Sequence, residues 1–547
     1  MYDHIVRVTA HWRPTDFLVA VVVVSLVAAS LVWGLAALSD KYTIQVPSRG
    51  GVFEEVIVGS PRFINPVLAL SDADRDVTRL TFRGLMQSTD NGIEPDLAES
   101  YTVSDDRKTY TFTLRDTTFH DGEPVTAQDV AFTISLIQNQ LLKSPLSTNW
   151  QGVTATAVDE HTLTLTLENP YAPFLENLTV GILPKHIWKD VKIDEVPFSP
   201  RNISAIGSGP YKITDVTKSA DGVVTDIKLS AHSDEPEPYI GTVRLHFVAN
   251  QESLLTMFEK NQNLAAHSIP PSDERTVHEA VLGRIFAVFL NQNKNALFAE
   301  AAVREALDAA LDKQLIVETL LSGFGSPANG PLPPQKLLTA PVASTSLEAA
   351  RNILEGAGWV LADGVYQKTV KKETKSLEFT LTTSAAPELK GAAIMVAEMW
   401  TALGARVDTQ FFEASDLENL VIRDRDYDAL LFGEVVGREH DLYAFWHSSQ
   451  KDDPGLNIAG YANIKVDALL EAARVATSST AASEKTRQAA DIISDEYGAL
   501  FLYAPHFVYV TPKATNLTLG SITAASDRFN SIRTWYVDTD RVWPIFK

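Results

Sequence analysis

The longest apolar run of the chain lies near its N-terminus. Positions 17–38 read FLVAVVVVSLVAASLVWGLAAL, about 22 residues without a charge, which is enough for a helix to cross a hydrocarbon core of about 30 Å. Arg7 and Arg13 precede the run, whereas an Asp-Lys pair follows it. The positive-inside rule therefore predicts a cytoplasmic N-terminus over 1–16, a transmembrane anchor over 17–38 and an exported body. A cleaved signal peptide is the alternative, but the run is long for that role and no clear A-x-A site follows it.

The first half of the exported body alternates between apolar and polar positions. Residues 39–50 lack such a pattern and are predicted to be a tether. Positions 110–114 and 162–169 alternate apolar residues with threonine, which predicts half-buried strands. Between them, Thr126 and Asp129 have the spacing of a capping box and predict the start of a helix.

The second half changes to alternating helices and strands. Positions 301–317 place apolar residues on one face of a predicted helix. From 377 to 433 the chain reads as strand LEFTLTT, helix LKGAAIMVAEMWTALG, strand ARVDTQFFE, helix DLENLVI and strand YDALLFG. Such alternation predicts an α/β lobe with a partly parallel sheet. The last forty or so residues are predicted to be strand-like and irregular.

Composition and charge narrow the function classes. The formal net charge is −22, so the surface repels phosphate backbones and nucleic-acid binding is disfavoured. The sequence contains no cysteine, which excludes thiol nucleophiles, thiolate metal sites and disulfides. No G-x-S-x-G, Walker, Rossmann or H-E-x-x-H motif is present. We therefore expect neither an enzyme nor a bound cofactor or structural metal.

An ordered series of segments resembles one protein family. The longest is EPDLAESYTVSDDRKTYTFTLRDTTFHDGEPVTAQDVAFTISLIQN at 94–139, and NPYAPFLENLTVGILPKHIW, IGSGPYKI, GPLPP and EAARNILEGAGW follow in order. These segments resemble the extracytoplasmic solute-binding proteins that serve oligopeptide, dipeptide and nickel ABC importers. The resemblance covers roughly residues 50–510.

The resemblance implies an α/β, two-lobed clamp of the periplasmic-binding-protein type, with an extra β-rich subdomain in the first lobe and the transmembrane helix before it. Carried onto this chain, the first lobe would span 51–290, with the subdomain at 76–180. The second lobe would span 291–510, and 511–547 would return to the first lobe.

The resemblance also implies ligand-binding residues. Leu431, Phe432 and Gly433 fall on the strand whose edge pairs with the ligand backbone in the family, and Glu434 falls near the carboxylate that binds the ligand amine. Family members commonly have Asp at that point, so this chain departs from the pattern. Asp441 is the second candidate for the amine-binding carboxylate, and its alternative role is capping the helix that follows.

Further candidates lie where the family lines its cleft. Arg438 could pair with a ligand carboxylate or be a surface arginine. Asn65 belongs to a segment similar to the family's N-P-x-x-A pattern. Four aromatic residues are candidates for either cleft or core, namely Trp150, Tyr443, Trp446 and Tyr503.

The expected function is capture of an oligopeptide or dipeptide outside the membrane and delivery to an ABC permease, by a monomer held at the membrane through 17–38. The alternatives are a sensor of ligand occupancy, a binder of a non-peptide solute such as a metal chelate or sugar on the same clamp, and a peptide-holding chaperone.

Overall fold

The computed structural model describes most of the 547-residue chain. The described residues are 13–89, 92–171, 173–232, 236–269, 275–334, 346–437, 440–453, 455–476 and 478–544. Most of the predicted cytoplasmic segment 1–16 and the candidate ligand residue Arg438 lie outside these ranges.

The described residues form strands and helices in both halves of the body. The strands are β1 (Ile44–Ser48), β2 (Gly50–Val58), β3 (Met86–Thr89), β4 (Gly92–Pro95), β5 (Ala98–Val103), β6 (Thr109–Leu114), β7 (Val153–Ala157), β8 (Thr162–Leu167), β9 (Tyr211–Lys218), β10 (Val224–Ala231), β11 (Ile240–Val248), β12 (Leu264–His267), β13 (Thr276–Val281), β14 (Arg284–Leu290), β15 (Gly325–Pro327), β16 (Val360–Ala362), β17 (Val365–Val370), β18 (Glu373–Ser376), β19 (Glu378–Ser384), β20 (Arg406–Phe412), β21 (Ala429–Val435), β22 (Leu500–Thr511) and β23 (Asp538–Val542). The helices are α1 (Pro14–Tyr42), α2 (Asp72–Thr81), α3 (Ala127–Ile137), α4 (Phe174–Asn177), α5 (Lys185–Trp188), α6 (Gln251–Lys260), α7 (Ala301–Ala309), α8 (Lys313–Leu320), α9 (Leu347–Gly356), α10 (Pro387–Leu403), α11 (Ala414–Asp416), α12 (Tyr443–Trp446), α13 (Ile464–Arg474) and α14 (Ser479–Asp495).

The N-terminal apolar run forms helix α1, which is longer at both ends than the predicted 17–38. Its stretch Thr15–Trp33 is long and apolar enough to cross a membrane, and none of it is buried by the rest of the protein. Within the predicted tether 39–50, strand β1 pairs antiparallel with β23 near the C-terminus. Sequence reasoning missed this strand because its partner lies far away in the sequence.

One long mixed sheet connects the two halves of the body. Its strands run in the order β20-β19-β21-β14-β22-β12-β2-β11-β10-β9, and β13 and β15 also pair with β22. Smaller sheets are separate from it, including the four-stranded sheet β5-β6-β8-β7. The predicted strands at 110–114 and 162–169 are central in that sheet, and the Thr126–Asp129 capping box begins helix α3 as predicted.

Separate hydrophobic cores lie toward the two ends of the long sheet. The largest core is built mainly from residues 53–247 and includes Phe507, Phe529 and Trp535 from the C-terminal part. Two other cores cover opposite faces of β14 and β21. We refer to the region of the largest core as the first lobe and to the region of the other two as the second lobe.

Two neighbouring segments cross between the lobes. Strand β22 pairs with β13 through its second half and with β14 and β15 through its first half. The second crossing is the short link between β13 and β14, where the Gly283 N–H donates to the Ile522 carbonyl at 2.9 Å. Because β13 and β14 both pair with β22, this link runs beside β22 where the two lobes meet.

In the second lobe, the predicted alternation of strands and helices is present. Strand β19 pairs parallel with both β20 and β21, and helix α10 connects β19 to β20. The predicted single helix at 301–317 is wrong, because it is divided into α7 and α8. Asp312 causes the break, since its side chain accepts a hydrogen bond from the Leu315 N–H and begins a new helix.

The prediction for the last forty or so residues is also incomplete. Ala525–Thr534 forms a 3-10 helix, whose start is fixed by Asp527. The Asp527 carboxylate accepts hydrogen bonds from the N–H groups of Thr523 and Ala524. This helix carries the buried Arg528.

Candidate functional site

Strand β21 has one edge that lacks a strand partner over part of its length. It pairs antiparallel with β14 throughout, but it pairs with β19 only at its first two residues. The Leu431 carbonyl accepts a hydrogen bond from Thr383 Oγ1 at 2.7 Å. Over 432–435, no strand among the described residues pairs with that edge. Backbone groups here can pair with an extended ligand, because alternate N–H and C=O groups of a strand point to each side.

Glu434 lies on this strand with its carboxyl group buried. The residue is 3% exposed. Its Oε2 atom accepts a hydrogen bond from Trp446 Nε1 at 3.3 Å, whereas Oε1 has no hydrogen-bond partner among the described residues. Burial raises the pKa of Glu434 to about 8, and the Trp446 hydrogen bond opposes this only in part. A ligand ammonium at Oε1 would supply both the absent hydrogen bond and a counter-charge.

The raised pKa of Glu434 predicts a pH-dependent stability. The folded pKa of about 8 exceeds the ordinary 4.5, so the folded protein holds this proton more tightly than the unfolded chain. The stabilising contribution is therefore full below about pH 4.5 and is lost as the pH rises through 8. Urea unfolding of the wild type and Glu434→Gln at several pH values should show the variant gaining stability relative to the wild type over this range. A constant difference between the two proteins would contradict the buried, protonated carboxyl.

Asp441 and Arg474 form an ion pair close to Glu434. Asp441 Oδ2 accepts hydrogen bonds from Arg474 Nε at 3.0 Å and from Nη2 at 2.7 Å. Its Oδ1 atom accepts from the Tyr443 N–H at 3.0 Å, at the start of α12, although the N-cap position of that helix is held by Leu442 and not by Asp441. The same short helix α12 carries Trp446, so Asp441, Tyr443, Trp446 and Glu434 lie together. Of the two candidate carboxyl groups, Asp441 already has a cationic partner, whereas Glu434 has an oxygen without a hydrogen-bond partner among the described residues.

Residues of the first lobe lie close to Arg474 and Gly437 of the second lobe, across the gap between the lobes. The Arg474 guanidinium lies 3.7 Å from the ring centre of Tyr443 and 5.4 Å from that of Tyr171, a residue of the first lobe. A Cβ atom placed on Gly437 would lie 3.4 Å from Glu176 Oε2, also of the first lobe. Tyr171 and Glu176 both line a first-lobe cavity of about 430 Å³. This cavity and the end of β21 therefore border the same interlobe gap.

The predicted residues of strand β21 point to both faces of the sheet. Leu431 is buried in one second-lobe core, and Phe432 packs partly buried against the other. Gly433 faces Phe286, since an added Cβ would lie 2.6 Å from the ring. The position admits no side chain without displacing that ring, so glycine keeps the strand in place.

The other predicted residues lie apart from Glu434. Trp150 lines the first-lobe cavity, yet it is 1% exposed and makes an edge contact with Phe174, so it belongs to both cleft wall and core. Tyr503 is buried and donates a hydrogen bond to Glu388 Oε1 at 3.0 Å. Asn65 is fully buried in a turn, where its side chain bonds to Asn202 and to the Val67 N–H.

Sequence reasoning missed Arg474, Tyr171 and Glu388. Arg474 ends helix α13, where a basic residue is common for reasons of the helix dipole alone. Glu388 lies in the first turn of α10, where an acidic residue is equally common. Their partners lie 33 and 115 residues away in the sequence, and no local pattern marks them.

Comparisons with known proteins agree with this architecture. Residues 92–455 match the family described as bacterial extracellular solute-binding proteins, family 5, middle part. The chain is 27% identical over 498 residues to the oligopeptide-binding protein AppA of Bacillus subtilis (strain 168), covering 86% of this chain and 89% of AppA. The solved structure of AppA from Bacillus subtilis in complex with a nonapeptide has a TM-score of 0.66 at 25% identity, covering 90% of this chain and 100% of that chain. The structure of NikZ from Campylobacter jejuni in complex with Ni(L-His) has a TM-score of 0.66 at 23% identity, covering 89% of this chain and 99% of that chain. This match shows that the two proteins share a fold.

These observations define the class of the protein as a mixed α/β solute-binding protein with a periplasmic-binding-protein-like fold. The predicted fold class is confirmed. More specifically, the chain belongs to family 5 of the bacterial extracellular solute-binding proteins, which serve ABC importers. Proteins of this kind bind solutes and are not enzymes.

Proposed function

We propose that this protein is a membrane-anchored solute-binding protein that captures peptides outside the cell membrane for an ABC importer. The edge of β21 over 432–435 carries the proposal, because it has no strand partner in the described part of the chain and a peptide backbone can extend the sheet there. The AppA complex with a nonapeptide supports the same ligand class. The exposed apolar stretch Thr15–Trp33 supports a single-pass anchor with the body on the extracytoplasmic side.

In this mechanism, an extended peptide enters the open clamp and its backbone pairs with β21. Its ammonium group approaches Glu434 Oε1, which loses its proton and becomes the counter-charge. The lobes then close by hinge motion at the two crossing segments, and the closed protein docks on a membrane permease. A separate ATPase drives transport, so this chain performs no chemistry.

The domain division expected from the sequence belongs to the same proposal. The first lobe is 51–290 with 76–180 as its extra subdomain, the second is 291–510, and 511–547 returns to the first. Packing of the C-terminal Phe529 and Trp535 in the largest core supports that return. Strand β14 packs in the second-lobe cores, so we propose that the boundary lies at the link before it, a few residues ahead of 290.

A thermal-shift panel tests the ligand class. The full-length protein in detergent is mixed with pools of free-amine peptides of two to nine residues, with their N-acetylated counterparts, and with nickel–histidine. The proposal expects a clearly larger rise of the melting temperature with free-amine peptides than with their N-acetylated counterparts, and none with nickel–histidine. Stabilisation by nickel–histidine alone would favour the second candidate, a binder of a metal chelate, which the fold shared with NikZ makes a specific alternative.

A further inference from the structure

Helix α2 presents two arginines and a threonine to the first-lobe cavity of about 430 Å³. Arg75, Thr78 and Arg79 are spaced i, i+3 and i+4, so they share one face of the helix. The opposite face of α2 packs against the protein interior, where Asp76 accepts hydrogen bonds from Arg528.

No side-chain hydrogen bond among the described residues uses the donors of this wall. Arg75 forms an ion pair with Asp72 at 3.8 Å and Arg79 forms one with Asp527 at 3.6 Å, and both distances are longer than a hydrogen bond. Thr78 is 9% exposed, and its Oγ1 atom has no hydrogen-bond partner within the described part of the chain. A buried, unpartnered hydroxyl is costly unless a ligand satisfies it. The wall therefore offers two guanidinium groups and one hydroxyl to an acceptor.

The cavity is also lined by two acids, and one of them, Asp527, forms an ion pair with Arg79 through its Oδ1 atom at 3.6 Å. The Asp527 Oδ2 atom accepts hydrogen bonds from Thr523 and Ala524, which fix the carboxylate as a helix cap. Glu176 belongs to α4, at the side of the cavity that meets Gly437 of the second lobe. Glu176 is therefore on a different helix from Arg75 and Arg79, which lie on α2.

We propose that the α2 wall of this cavity binds a carboxylate of the ligand, through Arg75 and Arg79 with Thr78 as an additional donor. The inference rests on the proposed function, because the cavity borders the interlobe gap next to β21 and would receive part of the same peptide. Guanidinium groups suit the task because their planar donors match a carboxylate. The protein then selects peptides that carry both a free amine and a carboxylate reaching the first lobe.

Matched peptides test this selection. Calorimetry on the full-length protein in detergent compares a pool of random pentapeptides as free acids with the same pool as C-terminal amides. A third pool replaces Asp and Glu by Asn and Gln. The wild type should bind the acid form about tenfold to a hundredfold more tightly than the form lacking the recognised carboxylate. The pool that loses affinity identifies that carboxylate as the C-terminus or a side chain.

The variant Arg75→Gln/Arg79→Gln should lose this preference and bind the amide pool as the wild type does. The matched control is Arg406→Gln/Arg423→Gln, which removes two exposed arginines with side chains 60% and 56% exposed and should keep the preference. Equal binding of all pools by the wild type would overturn the inference. So would a preference that survives in Arg75→Gln/Arg79→Gln.

Thr78→Val separates a ligand role from a structural one. The exchange removes an unpartnered buried hydroxyl at nearly constant size, so thermal stability should be unchanged or higher. The preference for the carboxylate form should nevertheless fall severalfold. A stability loss with an unchanged preference would show that the hydroxyl serves the fold and would remove Thr78 from the site.

Failure of the proposed function gives a different result. If no peptide pool binds the wild type, peptide capture is wrong, and citrate then serves as the anionic probe in the same calorimetry. Citrate binding that is lost in Arg75→Gln/Arg79→Gln would retain the carboxylate site without the peptide function. Absence of citrate binding as well would overturn both.

Discussion

Replacing Arg528 with methionine should lower the free energy of unfolding by about 3–5 kcal/mol, the usual loss when one member of a buried ion group is removed. Arg528 is fully buried together with Glu55 and Asp76. Its Nε atom donates to Glu55 Oε1 at 2.9 Å, and its Nη1 and Nη2 atoms donate to Asp76 at 2.8 and 2.6 Å. Without the guanidinium, two carboxylates remain buried with no counter-charge. Urea unfolding at neutral pH measures the loss.

The network joins elements that are distant in the sequence, which explains the size of the effect. Glu55 belongs to β2, Asp76 to α2 and Arg528 to the C-terminal 3-10 helix. Tyr509 of β22 completes it by donating to Glu55 Oε2 at 2.8 Å. Loss of Arg528 should therefore loosen the attachment of the C-terminal segment to the first lobe.

Two control variants frame this prediction. Arg406→Met removes an arginine from an exposed pair with Glu378 and should change stability by less than about 1 kcal/mol. Adding Glu55→Gln and Asp76→Asn to Arg528→Met removes the uncompensated charges and should recover part of the loss. If Arg528→Met proved no more destabilising than Arg406→Met, the buried network would not stabilise the first lobe.

Glu434→Gln should weaken binding of free-amine peptides by about 2–5 kcal/mol, a thirtyfold to several-thousandfold loss, because it removes one member of a buried charge pair. Glutamine keeps the size of the side chain and can still accept the Trp446 hydrogen bond. It cannot ionise to balance an ammonium. Binding of N-acetylated peptides, which lack that charge, should be unchanged by the substitution. Calorimetric titration of the full-length protein in detergent measures both affinities.

Proton release provides a second measurement for the same variant. The pKa of Glu434 is about 8, so at pH 6 the ligand-free carboxyl is protonated. Binding an ammonium should then release about one proton in the wild type and none in Glu434→Gln, which titrations in buffers of different ionisation enthalpy detect. Glu398→Gln, at an exposed position of α10, is the matched control. Equal affinity and equal proton release in wild type and Glu434→Gln would show that Glu434 is not the amine site.

Local patterns predicted many of the elements around the site. The strand at 110–114, the capping box of Thr126 and Asp129, and the succession β19, α10, β20 all follow the sequence. Each depends on neighbours within a few residues, where alternation or capping chemistry is readable. The position of Glu434 on a strand was predictable for the same reason.

Features that depend on distant partners could not be predicted. Apolar periodicity does not show that Asp312 caps a new helix and so divides the predicted one. It also does not show that β1 pairs with β23, which lies far away in the sequence. The Asp441–Arg474 pair joins residues 33 positions apart, and the unused oxygen of Glu434 exists only after the core has packed around it. The ion pairing and the burial of charged groups at the site could therefore be determined only from the structure.

Hydrogen exchange on β21 tests the central claim most directly. The full-length protein in detergent is followed by mass spectrometry alone, with a free-amine peptide pool, and with the N-acetylated pool. A peptide that extends the sheet should slow amide exchange within 432–435, where one edge of the strand has no strand partner among the described residues. The account predicts this protection with free-amine peptides and much less with acetylated ones. Peptide binding that leaves exchange at 432–435 unchanged would contradict capture on this edge.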